Sequence, residues 1–346
     1  MMMEQRYQKG TATALLRYGQ TLPVLLKDQH FDDVRVYIVT NQRFYDRLST
    51  QMTFEGKARW YVCGNDPHIN QFNELREFIR YMQEETRYEP FLLIGLGNIG
   101  IMHLANFFHT LSTMKGSLWL IPSNMRALAQ VLSGTAVIEG PLGEPALQVA
   151  TLPQQVFFDT TLQQSARFTA NDLLPLIRLG LTGDHALIQT LYKNYPKQEA
   201  LLGKGLTPFL EPLIRLSSLD ELENFGQPFT QAFYQTANGQ YLADEQKQWL
   251  GILFHFIWAQ VVNDFTFQTG NFFTWLKRLG VPLDLPNQFL LSDYGVTLLQ
   301  NRDWLPALSE IGSNRFQRQQ LTETTVFEMI ARFQHYLPEG AQHEFQ

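Results

Sequence analysis

The residues best suited to chemistry form a glycine-rich segment, Gly95-Leu-Gly97-Asn-Ile-Gly100, between a strand-like run and an apolar helical pattern. Glycines at this spacing let the backbone approach a pyrophosphate, whose charge is stabilised at the positive N-terminus of the following helix. No Asp or Glu lies between Gly100 and Glu139, so the acid that usually holds the ribose of a dinucleotide is missing. The segment therefore predicts either a phosphate or nucleotide site or a tight strand–helix packing.

The remaining titratable residues form no recognisable catalytic or metal-binding motif. The eight histidines include no H-x-x-x-H or H-E-x-x-H pair, and the single cysteine excludes C-x-x-C. His103 and His255 lie in apolar helical patterns, which favours hydrogen-bonded core histidines. Cys63 ends a strand-like run and is expected to be a small buried hydrophobe. Asp244-Glu245 is typical of a solvated helix start, where acids complement the helix dipole.

Strands and helices alternate in the first 150 residues, and this order must position the glycine segment. Four β-rich runs are predicted, at 34–40, 58–63, 91–94 and 118–121. Helical spacing of apolar residues predicts helices between them, at 41–48, 69–85 and 101–114. Such alternation indicates a parallel sheet covered by helices.

After about residue 160 helical patterns dominate, at 170–180, 185–195, 228–237, 243–264, 271–279 and 320–337. The sequence thus predicts an α/β N-terminal half with a mostly parallel, nucleotide-binding-like sheet, followed by an all-α C-terminal domain. We expect the first domain to span 1–155 and the second 156–346. The pattern at 243–264 is apolar all round, which predicts a central, buried helix.

Composition excludes several classes of protein. With 346 residues, 45% of them hydrophobic, the chain can bury a large core and is not disordered. A net charge of −6 argues against nucleic acid as a partner. The apolar stretch 249–262 is too short to span a bilayer, and the first ten residues are polar, so neither a membrane nor a secretory signal is expected. A cytoplasmic protein is expected.

Several segments share their order and spacing with the motifs of one known family. They are Val39-Thr-Asn41, Ile94–Gly100, Leu120-Ile-Pro122-Ser-Asn124, Pro141-Leu-Gly143, Val156-Phe-Phe-Asp159-Thr160, Asn224–Ala232 and Ile311-Gly312. Over roughly 34–315 this order resembles the dehydroquinate synthase family, which includes other sugar-phosphate cyclases and is related to glycerol dehydrogenase. Ile94–Gly100 resembles its L-G-G-G-x-x-G-D turn, and Asn224–Ala232 its N-F-G-H-T-x-G-H-A motif.

The resemblance implies a chemistry and a cofactor. Family enzymes use NAD to oxidise a sugar-phosphate hydroxyl transiently while zinc polarises it; phosphate is then eliminated, the ketone is reduced, and an aldol step closes the ring. It also implies a homodimer formed through the first half. The matching cofactor-binding positions are Asn41, Gly95, Gly97, Asn98, Gly100, Ser123, Asn124 and Thr160.

The departures from the family pattern fall on the chemistry. The three zinc-ligand positions hold Pro175, Gln227 and Asp244, the last being Ala243 if the alignment shifts by one residue. Proline cannot ligate and a neutral glutamine is a poor zinc ligand, so zinc is not expected. The second histidine of N-F-G-H-T-x-G-H-A is Gln231, and the lysine of the family's A-E-x-x-K is Arg178.

Further charged groups of the family are also replaced. Its turn-closing Asp is Ile101, its substrate-binding lysine segment falls on 130–136 without Asp or Lys, and its arginine before N-F-G-H falls near Asp220. The catalytic positions that remain recognisable are Arg178, Asn224 and Gln231. The loss of the metal together with the charged groups that hold the substrate predicts no useful rate of cyclisation.

Three hypotheses follow. The first is a non-catalytic dehydroquinate synthase-like protein that retains at most NAD binding. The second is an active 3-dehydroquinate synthase or related sugar-phosphate cyclase whose site is rebuilt from Arg178, Asn224, Gln227 and Asp244. The third is a structural homodimer, which predicts a large apolar patch on the α/β half.

Overall fold

The structure, a computed structural model, describes residues 3–27, 34–50, 58–86, 90–163, 168–202, 205–219 and 222–337. These residues form two compact units. The first draws on Met1–Arg167 and Leu206–Asp220, and the second on Phe168–Gly205 and Glu221–Gln346. The return of 206–220 to the first unit was not predicted from the sequence. None of the helices in the described ranges has the length and apolar character needed to cross a membrane.

The first unit contains nine strands and seven helices among its described residues. The strands are β1 (Met3–Lys9), β2 (Ala12–Tyr18), β3 (Arg35–Asn41), β4 (Ala58–Cys63), β5 (Phe91–Gly97), β6 (Gly116–Pro122), β7 (Thr135–Glu139), β8 (Pro145–Ala150) and β9 (Gln155–Phe158). The helices are α1 (Leu22–Lys27), α2 (Gln42–Leu48), α3 (Phe72–Thr86), α4 (Ile99–Leu111), α5 (Met125–Leu132), α6 (Thr160–Gln163) and α9 (Leu210–Ser217).

Seven of these strands form one sheet in the order β1-β2-β9-β6-β5-β3-β4. Every neighbouring pair is parallel except β1 and β2, which form an antiparallel hairpin at one edge. All seven residues of β5 are buried, as expected for a central strand with both faces covered. The predicted parallel sheet is confirmed, and its four predicted strands correspond to β3, β4, β5 and β6.

The N-terminal hairpin β1–β2 was missed by the sequence analysis. Strand β1 is polar and buries only Tyr7 fully, as befits an edge strand, so it carries little hydrophobic signal. The glycine segment therefore follows the fifth strand along the chain and not the third. Strands β7 and β8 form a separate two-stranded sheet.

The second unit is mainly helical, as predicted. Its helices are α7 (Ala170–Gly183), α8 (His185–Asn194), α10 (Gln227–Gln235), α11 (Asp244–Asn263), α12 (Thr269–Arg278), α13 (Leu291–Asn301) and α14 (Glu323–Tyr336). It also contains a hairpin that was not predicted, formed by β10 (Trp304–Leu308) and β11 (Phe316–Gln320). Helix α11 is buried along most of its length, which confirms the prediction of a central helix.

Candidate functional site

The predicted cofactor-binding residues lie at the carboxyl edge of the parallel sheet. Strand β3 ends at Asn41, β5 ends at Gly97 and β6 ends just before Ser123, while Thr160 follows β9. Parallel strands end at the same edge, so these positions are neighbours. Between β3 and β5 the strand order reverses, because the chain runs outward from β3 to β4 and then returns to the other side of β3. Such a switch point is where ligands bind in open α/β sheets.

The side chain of Asn41 bridges this switch point. Its Oδ1 accepts the backbone N–H of Asn98 at 3.1 Å, and its Nδ2 donates to the carbonyl oxygen of Gly64 at 2.8 Å. Asn98 then caps α4, since its Oδ1 accepts the N–H of Ile101 at 3.2 Å. The amide of Asn41 thus joins the loop after β4 to the glycine segment.

Close packing accounts for the three glycines. A Cβ at Gly95 would lie 2.7 Å from Leu120 Cδ2, and one at Gly97 would lie 2.5 Å from Asn41 Oδ1. At Gly100 a Cβ would collide with the carbonyl oxygen of Pro67. The tight strand–helix packing that the sequence offered as one interpretation is therefore present, whether or not a nucleotide also binds.

Some polar groups at this edge have no hydrogen-bond partner among the described residues. The backbone N–H groups of Ile99 and Gly100, in the first turn of α4, have no hydrogen-bond partner within the described residues. The hydroxyl oxygen of Ser123 is buried and also lacks a partner there, although the backbone N–H of Ser123 donates to Gly97 O at 2.8 Å. Asn124 caps α5 by accepting the N–H of Ala127 at 2.8 Å.

An acidic residue that the sequence analysis missed lies beside the glycine segment. The carbonyl oxygen of Asp66 accepts the Nδ2–H of Asn98 at 3.2 Å, and its exposed carboxylate accepts the N–H of His68 at 2.8 Å. In the dinucleotide-binding motif the ribose-binding acid follows the glycines, and no acid lies between Gly100 and Glu139. Asp66 lies in the loop after β4, more than thirty residues before Gly100, and the fold brings that loop beside the glycine segment.

A cavity of about 300 Å³, with both polar and apolar walls, lies in the second unit. It is lined by Asn224, Gln227 and Gln231, which the family resemblance singled out, together with Arg302 and His255. The Asn224-Phe-Gly226-Gln227 segment turns sharply into α10, so Asn224 and the first two glutamines of that helix face one space. Arg302 was not predicted, because it follows α13, a helix that the sequence analysis also missed.

His255 anchors the floor of this cavity in a defined neutral form. Its Nδ1 accepts the backbone N–H of Gly226 at 2.9 Å, so its Nε2 carries the proton and donates to Pro306 O at 2.7 Å. The ring is stacked between Phe225 and Phe229, at centroid distances of 4.2 and 4.8 Å. Burial lowers the pKa of His255 to about 4, and the hydrogen bond to Pro306 opposes that shift. It is the core histidine that the sequence predicts.

The other candidate residues do not line this cavity. Pro175 is buried inside α7, and Arg178 lies one turn further along that helix. Asp244 begins α11 and pairs with the ammonium of Lys247 at 3.1 Å. Asp220 lies outside the described residues. Within those residues no three His, Cys, Asp or Glu side chains are grouped closely enough to hold a metal ion.

Sequence comparison finds relatives that carry one name. A 3-dehydroquinate synthase of Listeria innocua is 26% identical over 295 residues, which is 76% of this chain and 80% of the relative. One from Listeria monocytogenes serotype 4b is 23% identical over 295 residues, with the same coverage. No family model matches the chain.

Structure comparison finds the same fold in more distant proteins. A 2-deoxy-scyllo-inosose synthase complexed with carbaglucose-6-phosphate, NAD+ and Co2+ has a TM-score of 0.76 at 14% identity, covering 95% of this chain and 99% of that one. The 2-epi-5-epi-valiolone synthase of Streptomyces hygroscopicus, with NAD+ and Zn2+ bound, has a TM-score of 0.70 at 14% identity, covering 95% and 98%. This chain is therefore similar in sequence to 3-dehydroquinate synthases, and it has the fold of the 2-deoxy-scyllo-inosose and 2-epi-5-epi-valiolone synthases.

Proposed function

We propose that this chain is a non-catalytic member of the dehydroquinate synthase-like superfamily that retains NAD binding. The observation that carries the proposal is the replacement of all three zinc-ligand positions by Pro175, Gln227 and Asp244. Catalysis in the family depends on a metal that polarises the hydroxyl to be oxidised, and its loss costs several kcal/mol of transition-state stabilisation.

The residues at these positions do not fit a zinc ion. The proline side chain carries no ligand atom, and Pro175 is buried inside α7. Gln227 offers only a neutral amide, and the carboxylate of Asp244 is engaged by the nearly buried ammonium of Lys247. Lys247 also lies 4.0 Å from the ring centroid of Tyr234, which holds its charge in place. One paired carboxylate is too weak a ligand set for zinc.

The residues at the sheet edge do fit a dinucleotide. The unpartnered N–H groups of Ile99 and Gly100 point from the first turn of α4, where a pyrophosphate is favoured. The exposed carboxylate of Asp66 offers a partner for ribose hydroxyls, and the buried, unsatisfied hydroxyl of Ser123 lies at the same edge. NAD would supply reversible hydride transfer, and these residues would bind and orient it.

The proposal predicts no phosphate release from the seven-carbon sugar acid phosphate that dehydroquinate synthases use. Purified protein is incubated with this substrate, NAD and added Zn2+ or Co2+, with the Listeria innocua relative as the positive control. We expect a rate at background and less than 0.1 equivalents of bound zinc by atomic emission, roughly what a site without a ligand set retains. Turnover that depends on stoichiometric zinc would refute the proposal.

NAD binding is expected to depend on Ser123. The Ser123→Ala change removes a buried hydroxyl that has no partner within the described residues, so it should leave stability unchanged or slightly higher. If that hydroxyl contacts NAD, calorimetric titration will show binding weakened by about five-fold or more. Ser117→Ala, at an exposed position of β6, is the matched control and should bind NAD as the parent does. Equal affinity in both variants would exclude Ser123 from the site.

A second candidate function is catalysis at a rebuilt site. The observation that favours it is the joining of Asn224, Gln227 and Gln231 with the positive charge of Arg302 in one cavity, which suits a phosphate or carboxylate. The same phosphate assay separates the two candidates. If turnover appears, its loss in Arg302→Gln would assign the activity to this cavity.

A further inference from the structure

A second, larger cavity lies in the helical unit, away from the residues that the superfamily motifs single out. Its volume is about 880 Å³, and its walls come from α8, α12 and the chain that leads into α12. Cavities that bind drug-sized ligands have about this size. We propose that this cavity binds a small anionic ligand with an aromatic ring, of the nucleoside phosphate class.

The walls provide aromatic surfaces for a planar ring. Tyr192 is half exposed and packs edge-on against the indole of Trp275 at 5.7 Å between ring centroids. Trp275 is fixed, because it is buried and its Nε1–H donates to Tyr195 O at 2.7 Å. Phe267 forms the other end of the wall, 6.1 Å from the ring of His185. Tyr192, which is supported from behind by Trp275, is therefore the exposed ring on which a nucleobase would stack, and such stacking needs no particular base.

The charges that line the cavity are of one sign. Lys193 and Arg278 are exposed at its rim, and His185 stands at the far end of α8. None of the described lining residues is acidic, and neither Lys193 nor Arg278 forms an ion pair with a described carboxylate. The chain as a whole carries a net charge of −6, so the positive charge around this cavity is opposite in sign to the net charge of the protein. Cations without carboxylate partners around an aromatic floor favour an anion.

The helix ends alone give a competing explanation for two of these charges. Lys193 and Arg278 each lie in the last turn of a helix, where a cation complements the dipole. The neighbouring Lys277, also in the last turn of α12, instead donates to Tyr336 O at 2.9 Å and turns away. Helix dipoles alone do not explain why the cations of two helices line the same aromatic cavity. A ligand-binding experiment therefore distinguishes an anion site from two separate helix ends.

The experiment is a calorimetric titration of the full chain with ADP, and the variants described below distinguish this cavity from the glycine segment. Adenosine and inorganic pyrophosphate are titrated separately, to measure the contribution of the aromatic ring apart from that of the phosphate charge. We expect ADP to bind, and the double variant K193Q/R278Q to weaken it at least ten-fold. The control K115Q/R80Q removes two exposed cations from the first unit and should change ADP affinity less than two-fold.

A third variant tests the aromatic part, since Tyr192→Ala removes the exposed ring and should weaken ADP and adenosine by similar factors. Photolabelling with 8-azido-ADP should modify the peptide that contains Tyr192. No ADP binding at millimolar concentration, or equal affinity in K193Q/R278Q and the control, would overturn the proposal. Labelling confined to peptides of the first unit would overturn it as well.

Discussion

Gly226→Ala should lower the free energy of unfolding by about 3 kcal/mol or more. Gly226 has a φ of +91°, a conformation that costs an L-residue about 1–2 kcal/mol. A Cβ there would also lie 2.9 Å from the backbone N and Cα of Ile252, atoms at the centre of the buried α11. Because neither backbone can move aside easily, the two penalties add.

Urea unfolding followed by circular dichroism measures this effect. Gly270→Ala is the matched control, since nothing lies closer than 3.9 Å to a Cβ there and the residue is helical. That control should be neutral or stabilising by up to about 1 kcal/mol. A Gly226→Ala variant as stable as the parent would mean that the turn into α10 is not held as the structure shows.

The second large effect is a loss of stability in mild acid. Burial lowers the pKa of His103 to about 3, with a smaller contribution from the charge of His68, and lowers that of His255 to about 4. In the unfolded chain both should titrate near 6.5. The folded pKa values are the lower ones, so the stabilisation is complete above pH 6.5 and is lost as the pH falls towards 4. Between pH 6.5 and 4.5, protonation of the two histidines in the unfolded chain should lower the free energy of unfolding by about 5 kcal/mol.

Protonation of carboxylates also lowers stability in acid, and substitution of a histidine separates its contribution from theirs. His255→Gln will be less stable than the parent at every pH, but its loss of stability between pH 6.5 and 4.5 should be smaller by about 2–3 kcal/mol. His335→Gln, at an exposed position of α14, should show the full loss. If His255→Gln also shows the full loss, the ring of His255 is not neutral in the folded protein.

The fold was predictable where the chain is most apolar. Strands β3, β5 and β6 are continuous runs of buried residues, and α11 is apolar all round, so local pattern and burial agree there. Strands β1 and β11 are polar on most positions, because each meets solvent along much of its length. Strand β10 is apolar, but it is only five residues long and contains Pro306. Pattern alone could not distinguish them from loops.

The site was predictable in part for a different reason. Asn224, Gln227 and Gln231 follow one another at helical spacing, so a motif match alone groups them. Arg302 and Asp66 reach their places only through long-range packing, and no spacing rule connects them to the motifs. Sequence motifs predict neighbours along an element better than neighbours across the fold.

The position of β9 in the sheet has a consequence for synthesis of the chain. Strand β9 pairs with β2 on one side and β6 on the other. Residues 12–18 therefore cannot join the rest of the sheet until residues 155–158 have been synthesised. At the usual pace of translation, that interval is roughly 7–30 s. During it the nascent chain exposes two unpaired strand edges, which are templates for wrong pairing. Helix α9 arrives later still and completes the first unit only after synthesis of the second has begun.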